Sequence, residues 1–203
     1  MKNLFLFTFL LLSIFAKGQT PCGDSSGNWH LERGNSSLSI IYDVIDTAKS
    51  VNSTDSAISA DSILFKKMVI GFIKGLGHVE NIAANSQPFT FDIKGIKIDY
   101  KKYGYRLIEL LFLNAPMDCK CLIEFKENKY RITFKDFIFH EKIVLSSQIV
   151  DRDSYLNDMM FNNEGCLRKM YINRCKNTLN VIERYLTDYF KYTTPAKPKK
   201  SDW

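Results

Sequence analysis

Cys119 and Cys121, separated by Lys120, are the two residues whose types and spacing point most directly to chemistry. On a β-strand, residues two apart project from one face, so both sulfurs can address one metal ion or one partner thiol. A closed zinc site needs four ligands, and His30, His78 and His140 show no spacing that would complete one. Cys121 shares its face with Ile123 and Phe125, where a buried cysteine behaves as a small hydrophobe. The pair therefore reads as core or disulfide cysteine, with no metal and no cofactor. The chain holds 5 cysteines, and an odd count in an oxidising compartment leaves at least one outside any set of bridges. Cys166 and Cys175 fall on one helical segment with about 13 Å of rise between them, so they cannot join. Cys175 lies on an apolar helical stripe, and the expected disulfide runs from Cys175 to Cys119 or Cys121.

The remaining chemistry is thinner. Gly71, Gly75 and Gly77 follow a helical pattern instead of preceding one. They mark a helix end, not a phosphate loop. Asp151 with Asp153 and Glu124 with Glu127 read as solvated acid pairs, and neither G-x-S-x-G nor H-E-x-x-H occurs. No catalytic residue is assigned. What stands out is a set of cations, Lys126, Lys129, Arg131 and Lys135, on or near the polar side of an alternating segment. They are the candidate ligand-binding residues of a non-catalytic binding or structural module that would favour an anionic protein, peptide or envelope component. The alternative is an enzyme whose site is assembled from distant segments around His140 or His78 as its base.

Hydrophobic periodicity outlines the scaffold that must position these residues. Residues 39–46 are β-branched and apolar, a strand; residues 47–60 are a loop by composition. Phe65, Met68, Val69, Phe72, Ile73 and Leu76 form one apolar helical stripe. Ser59 or Asp61 is its expected cap, and Gly75 or Gly77 its left-handed end. From residue 88 to 140 the period becomes two. Lys94-Gly95 is predicted as a tight turn that sets Phe89, Phe91 and Ile93 opposite Tyr100, Ile98 and Ile96. Residues 106–113 are apolar on both faces and predict an interior strand. A second hairpin turns at Glu127-Asn128 and sets Phe125 opposite Tyr130, Ile123 opposite Ile132 and Cys121 opposite Phe134, with a bulge near Asp136. Phe134, Phe137 and Phe139 read as core. A last helix over residues 164–191 carries Leu167, Tyr171, Cys175, Thr178, Ile182, Tyr185 and Tyr189 on its stripe, and the prolines beyond it stop it. The predicted class is α+β: an antiparallel β-meander with two main helices packed on one face.

Lys2, the uncharged run over residues 4–15 and Ala16-Lys17-Gly18 read as a secretory signal peptide over residues 1–18. Residues 19–35, rich in Gly, Ser and Asn, predict a flexible mature N-terminus; residues 36–192 a single domain; residues 193–203 a basic, disordered tail. Removing Lys2 and Lys17 lowers the formal net charge from +6 to +4. The expected protein is exported, periplasmic or secreted, with no membrane span once the signal is cleaved and no nucleic-acid partner. Lys197, Lys199 and Lys200 would give at most weak electrostatic contact with a membrane surface.

The segments IIYDVID, SADSILFKKMVIGFIKG and CLIEFKENKYRITFKDFIFH resemble a family of secreted bacterial domains of unknown function whose fold is like that of the TATA-box-binding protein. The likeness spans residues 40–140, and the lysine-flanked turn before Tyr130-Arg131-Ile132 matches best. It implies a TBP-like arrangement of sheet and helices and brings no activity and no binding residues. Likeness of fold to a DNA-binding protein carries no function with it.

Overall fold

The computed structural model describes residues 23–43, 55–83, 88–104, 114–126 and 129–192. Eight strands form one sheet: β1 (Gly23–Ser26), β2 (Trp29–Glu32), β3 (Ser37–Asp43), β4 (Val79–Ala83), β5 (Phe89–Ile96), β6 (Met117–Lys126), β7 (Lys129–Leu145) and β8 (Gln148–Tyr155). Three helices accompany them: α1 (Asp55–Gly75), α2 (Leu156–Met160) and α3 (Lys169–Tyr189). The strand order is β1-β2-β3-β7-β6-β5-β4, with β8 also on β7, and each pairing is antiparallel. The class is α+β.

Alternation decides the two faces. Leu38, Ile40 and Tyr42 of β3 are buried together with Tyr130, Ile132 and Phe134 of β7, Cys119, Cys121 and Ile123 of β6, and Phe89, Phe91 and Ile93 of β5. Both long helices pack on this face. Phe65 of α1 meets Phe125 and Tyr130, and Phe190, just past α3, sits against Phe91 and Phe134. Val69 and Ile73 are the fully buried members of the α1 stripe, whereas Met68 is exposed.

The hairpin of β6 and β7 has the anticipated register, with Phe125↔Tyr130, Ile123↔Ile132 and Cys121↔Phe134. Asp136, at a φ of 54°, forms the anticipated bulge, and the register shifts beside it. Phe134, Phe137 and Phe139 are core.

Other expectations need correction. Lys94-Gly95 is not a hairpin turn. β5 runs straight through it, and Gly95 (φ 64°) is the left-handed residue of a bulge where Ile93 and Ile96 pair with Cys119 and Met117. Ile96 and Ile98 are still buried, because the bulge restores the inward face. The flexible N-terminus predicted over residues 19–35 is, from residue 23, the β1–β2 hairpin; Trp29 and Leu31 are core, with the Trp29 ring 5.4 Å from Phe137. Residues 55–60, assigned to a loop, belong to α1, so Ser59 and Asp61 lie inside the helix and do not cap it. The left-handed residue after α1 is His78, at a φ of 66°, and neither Gly75 nor Gly77.

The last helix starts later than its periodicity suggested. α2 and a bridge between Phe161 and Leu167 precede it, so Leu167 packs on the core from outside α3. Its buried line, Leu179, Val181, Ile182, Leu186 and Phe190, is turned toward Leu186, leaving Tyr185 and Tyr189 at the margin. The proposed signal, residues 44–54, the strand over 106–113, Glu127-Asn128 and the basic tail lie outside the described residues, as do the Tyr171 and Cys175 side chains.

Candidate functional site

The outward face of the sheet collects a chain of charges that the sequence scatters over sixty residues. Asp118 of β6 is 8% exposed and is held from three sides. Lys94 Nζ lies 2.8 Å from its Oδ2, the Gly95 N–H donates to Oδ1 at 2.8 Å, and His140 Nε2 lies 3.1 Å from Oδ2. The other ring nitrogen, His140 Nδ1, is 2.7 Å from Asp153 Oδ1. Lys94, Asp118, His140 and Asp153 thus come from β5, β6, β7 and β8 in turn.

Strand register produces this row. The Gly95 bulge aims its N–H at Asp118, and the Asp136 bulge brings His140 to the outward face beside it. His140 pairs with Asp153 across β7 and β8. Burial pushes the Asp118 carboxyl up, but Lys94, the Gly95 N–H and His140 outweigh it and hold the group below the usual carboxylate value. The hydrogen bond to Asp153, helped by Asp118, raises the His140 imidazole above 6.5 against the effect of burial. The hydrogen bond to Asp118 likewise raises Lys94. An ionised carboxylate only accepts, so the ring can hold both contacts at once only by donating from both nitrogens, which the imidazolium alone can do.

That state limits the chemistry available. A general base needs a nitrogen lone pair aimed at substrate, and both His140 nitrogens face carboxylates. The ring is a cross-brace. It borders an open groove of ≈ 1070 Å³, lined also by Lys97, Pro116, Lys142, Arg152 and Asp153, with charges of both signs. His78, the second proposed base, is a turn residue whose Nδ1 donates to the Lys94 carbonyl at 2.9 Å.

Three of the four candidate cations meet. Lys126, Lys129 and Arg131 line a hollow of ≈ 300 Å³ with Ile41, Glu124 and Tyr130, while Lys135 stands further along β7 opposite Ser37. Arg131 is forked onto Glu124 Oε2 through Nε at 2.9 Å and Nη2 at 2.6 Å. Lys120 similarly pairs with Asp136 at 3.0 Å, so the face is a mosaic of ion pairs more than a basic patch. Ile41, 62% exposed, lines the same hollow, an apolar contact that the β-strand pattern alone did not mark as functional.

Cys119 and Cys121 are buried free thiols with sulfurs 4.0 Å apart. The anticipated bridge from either of them to Cys175 rests on a side chain outside the described residues. Burial pushes the Cys121 thiol up, which leaves it unreactive as a nucleophile. Among the described residues, no group of three or more His, Cys, Asp or Glu is placed to hold a metal ion, and no helix is long and apolar enough to cross a membrane.

Fold and site together define an α+β domain whose antiparallel sheet is covered by helices on one face and, among the described residues, open on the other. No family model, curated protein or solved structure matches this chain.

Proposed function

We propose that the chain is an exported, non-catalytic binding module that engages a protein, peptide or envelope component through its open sheet face. The observation that carries this reading is the hollow in which the exposed Ile41 side chain shares the lining with Lys126, Lys129 and Arg131. Apolar contact beside polar and charged groups is the usual composition of a recognition surface. Such a surface suits a partner that offers an apolar group flanked by acids. The resemblance to secreted domains with a TBP-like fold supports the same reading, because it implies an exported scaffold without a shared active site.

Affinity capture from envelope extracts, with wild type compared to an Ile41→Asp, Lys126→Glu, Lys129→Glu variant of unchanged circular dichroism, tests it. The expected result is one or more species bound by wild type and lost by the variant, identified by mass spectrometry. Identical capture profiles overturn it. Export is tested separately: the mature N-terminus should be Gln19.

One observation favours an enzyme instead, namely the His140–Asp153 pair at the edge of the larger groove. That reading requires turnover that disappears in His140→Gln, and it requires one ring nitrogen to come free of its carboxylate.

A further inference from the structure

We propose that His140 is a proton-operated clasp that fastens the arm formed by the end of β7 and by β8 to the body of the sheet. This inference is independent of the binding surface proposed above. The body side of the clasp is Asp118, fixed by Lys94 and the Gly95 N–H. The arm side is Asp153 on β8. His140 stands where the strand leaves the body: its N–H donates to the Pro116 carbonyl at 2.9 Å. Beyond it, among the described residues, β7 pairs only with β8, from Glu141↔Arg152 to Leu145↔Gln148.

The proton is needed for both ends to hold. A neutral imidazole has one N–H, so one nitrogen then turns a lone pair toward a carboxylate, and that contact repels. If the proton stays on Nδ1, the ring keeps Asp153 and lets go of Asp118. If it stays on Nε2, the ring keeps Asp118 and lets go of Asp153. Either way the side-chain link between arm and body opens. The charged groups facing the ring are Asp118 of β6 and Asp153 of β8, with Lys94 of β5 behind Asp118. Lys97, Lys142, Asp151 and Arg152 line the groove further out, and Glu141 accepts from Ser154 within the arm. The arm so controlled carries exposed Val144 and Ile149, 69% and 70% accessible, near its Ser146-Ser147 turn.

Two measurements on the full chain test the clasp. NMR titration of the His140 ring should give a midpoint above the ordinary value of 6.5. Hydrogen exchange of peptides within residues 141–152, corrected for intrinsic rates, should lose protection at that same midpoint as the pH rises, while β5 and β6 peptides stay level. For each unit by which the ring's midpoint is raised, the ratio of clasped to open arm changes about tenfold between the protonated and neutral plateaus. Asp153→Asn should lower the midpoint, and His140→Gln should abolish the step in exchange. A ring midpoint at or below the ordinary value, or arm exchange in the wild type with no step at the ring's midpoint, overturns the proposal even if a variant fails to fold.

Discussion

Tyr130 donates its hydroxyl to the Phe190 carbonyl at 2.6 Å, and the same oxygen accepts the Tyr192 N–H at 3.0 Å. Tyr42, stacked on Tyr130 with ring centroids 4.8 Å apart, donates to the Leu186 carbonyl at 3.0 Å. Two tyrosines from neighbouring strands thus bond carbonyls at the end of α3: Phe190, past the last helical residue, and Leu186, which also accepts the Phe190 N–H. Tyr130→Phe strands both the Phe190 carbonyl and the Tyr192 N–H, and should cost about 1–3 kcal/mol in urea unfolding. Tyr42→Phe should cost less, about 0.5–1.5 kcal/mol, because Leu186 keeps the Phe190 N–H. The reverse order would contradict this account.

The same hydroxyl sets an alkaline limit. Burial pushes Tyr130 up to about 12 from an ordinary 10.0. With the folded value raised, the neutral form's stabilisation is complete below 10 and lost as the pH rises through about 12. Circular dichroism at rising pH should show wild type losing stability in that window. The loss should be shallower in Tyr130→Phe, which has no proton there to release.

Gly95 is the backbone position where strain is easiest to read. Its φ is 64°, and a Cβ there would meet nothing within 4 Å. Gly95→Ala should therefore cost about 1–2 kcal/mol through the left-handed backbone alone, and Gly95→Asn less. Equal losses for the two in thermal melts would point to a steric cause instead.

Asp118→Asn keeps the shape and removes the charge. It should destabilise the protein near neutral pH by about 1–3 kcal/mol, because Lys94 loses its anion and His140 keeps only Asp153. Because the folded Asp118 value is lowered, its contribution is present above the ordinary 3.8 and is lost as the pH falls through the lowered value. The gap between wild type and Asp118→Asn should close in acid. A constant gap down the pH scale would show that charge is not the cause.

Cys119 and Cys121 should resist iodoacetamide in the folded protein and react promptly in denaturant, as buried thiols do. Rapid labelling of either under native conditions, followed by peptide mass, would show that this part of the core opens readily.

The parts of the fold legible in the sequence are those where one local pattern has one solution. Cys121 to Phe134 alternates on both arms of a short turn, so its register follows from the pleat. Lys94-Gly95 has two local solutions, a turn or a bulge, and in the bulge both residues bond Asp118 on the neighbouring strand, a contact no local pattern reveals. Residues 55–60 have a loop-like composition and yet form the first turns of α1, because composition is a weak guide where a helical segment follows directly. The Trp29-His30-Leu31 alternation was a readable strand signal masked by the Gly, Ser and Asn around it. The site was less legible still. Histidine and aspartate are common on polar faces, and only the register of β6, β7 and β8, with two bulges, places Asp118 and Asp153 on opposite sides of one ring.

The place of β3 next to β7 also has a consequence in time. Ser37 pairs with Lys135 and Asp43 with Lys129, so the N-terminal hairpin cannot join the sheet until a long stretch of intervening chain has been made and ordered. Contacts between such remote segments form late and slowly. Until they do, the edge of β7 that β3 will occupy is bare. A newly made chain would spend that interval open to wrong partners, including other copies of itself.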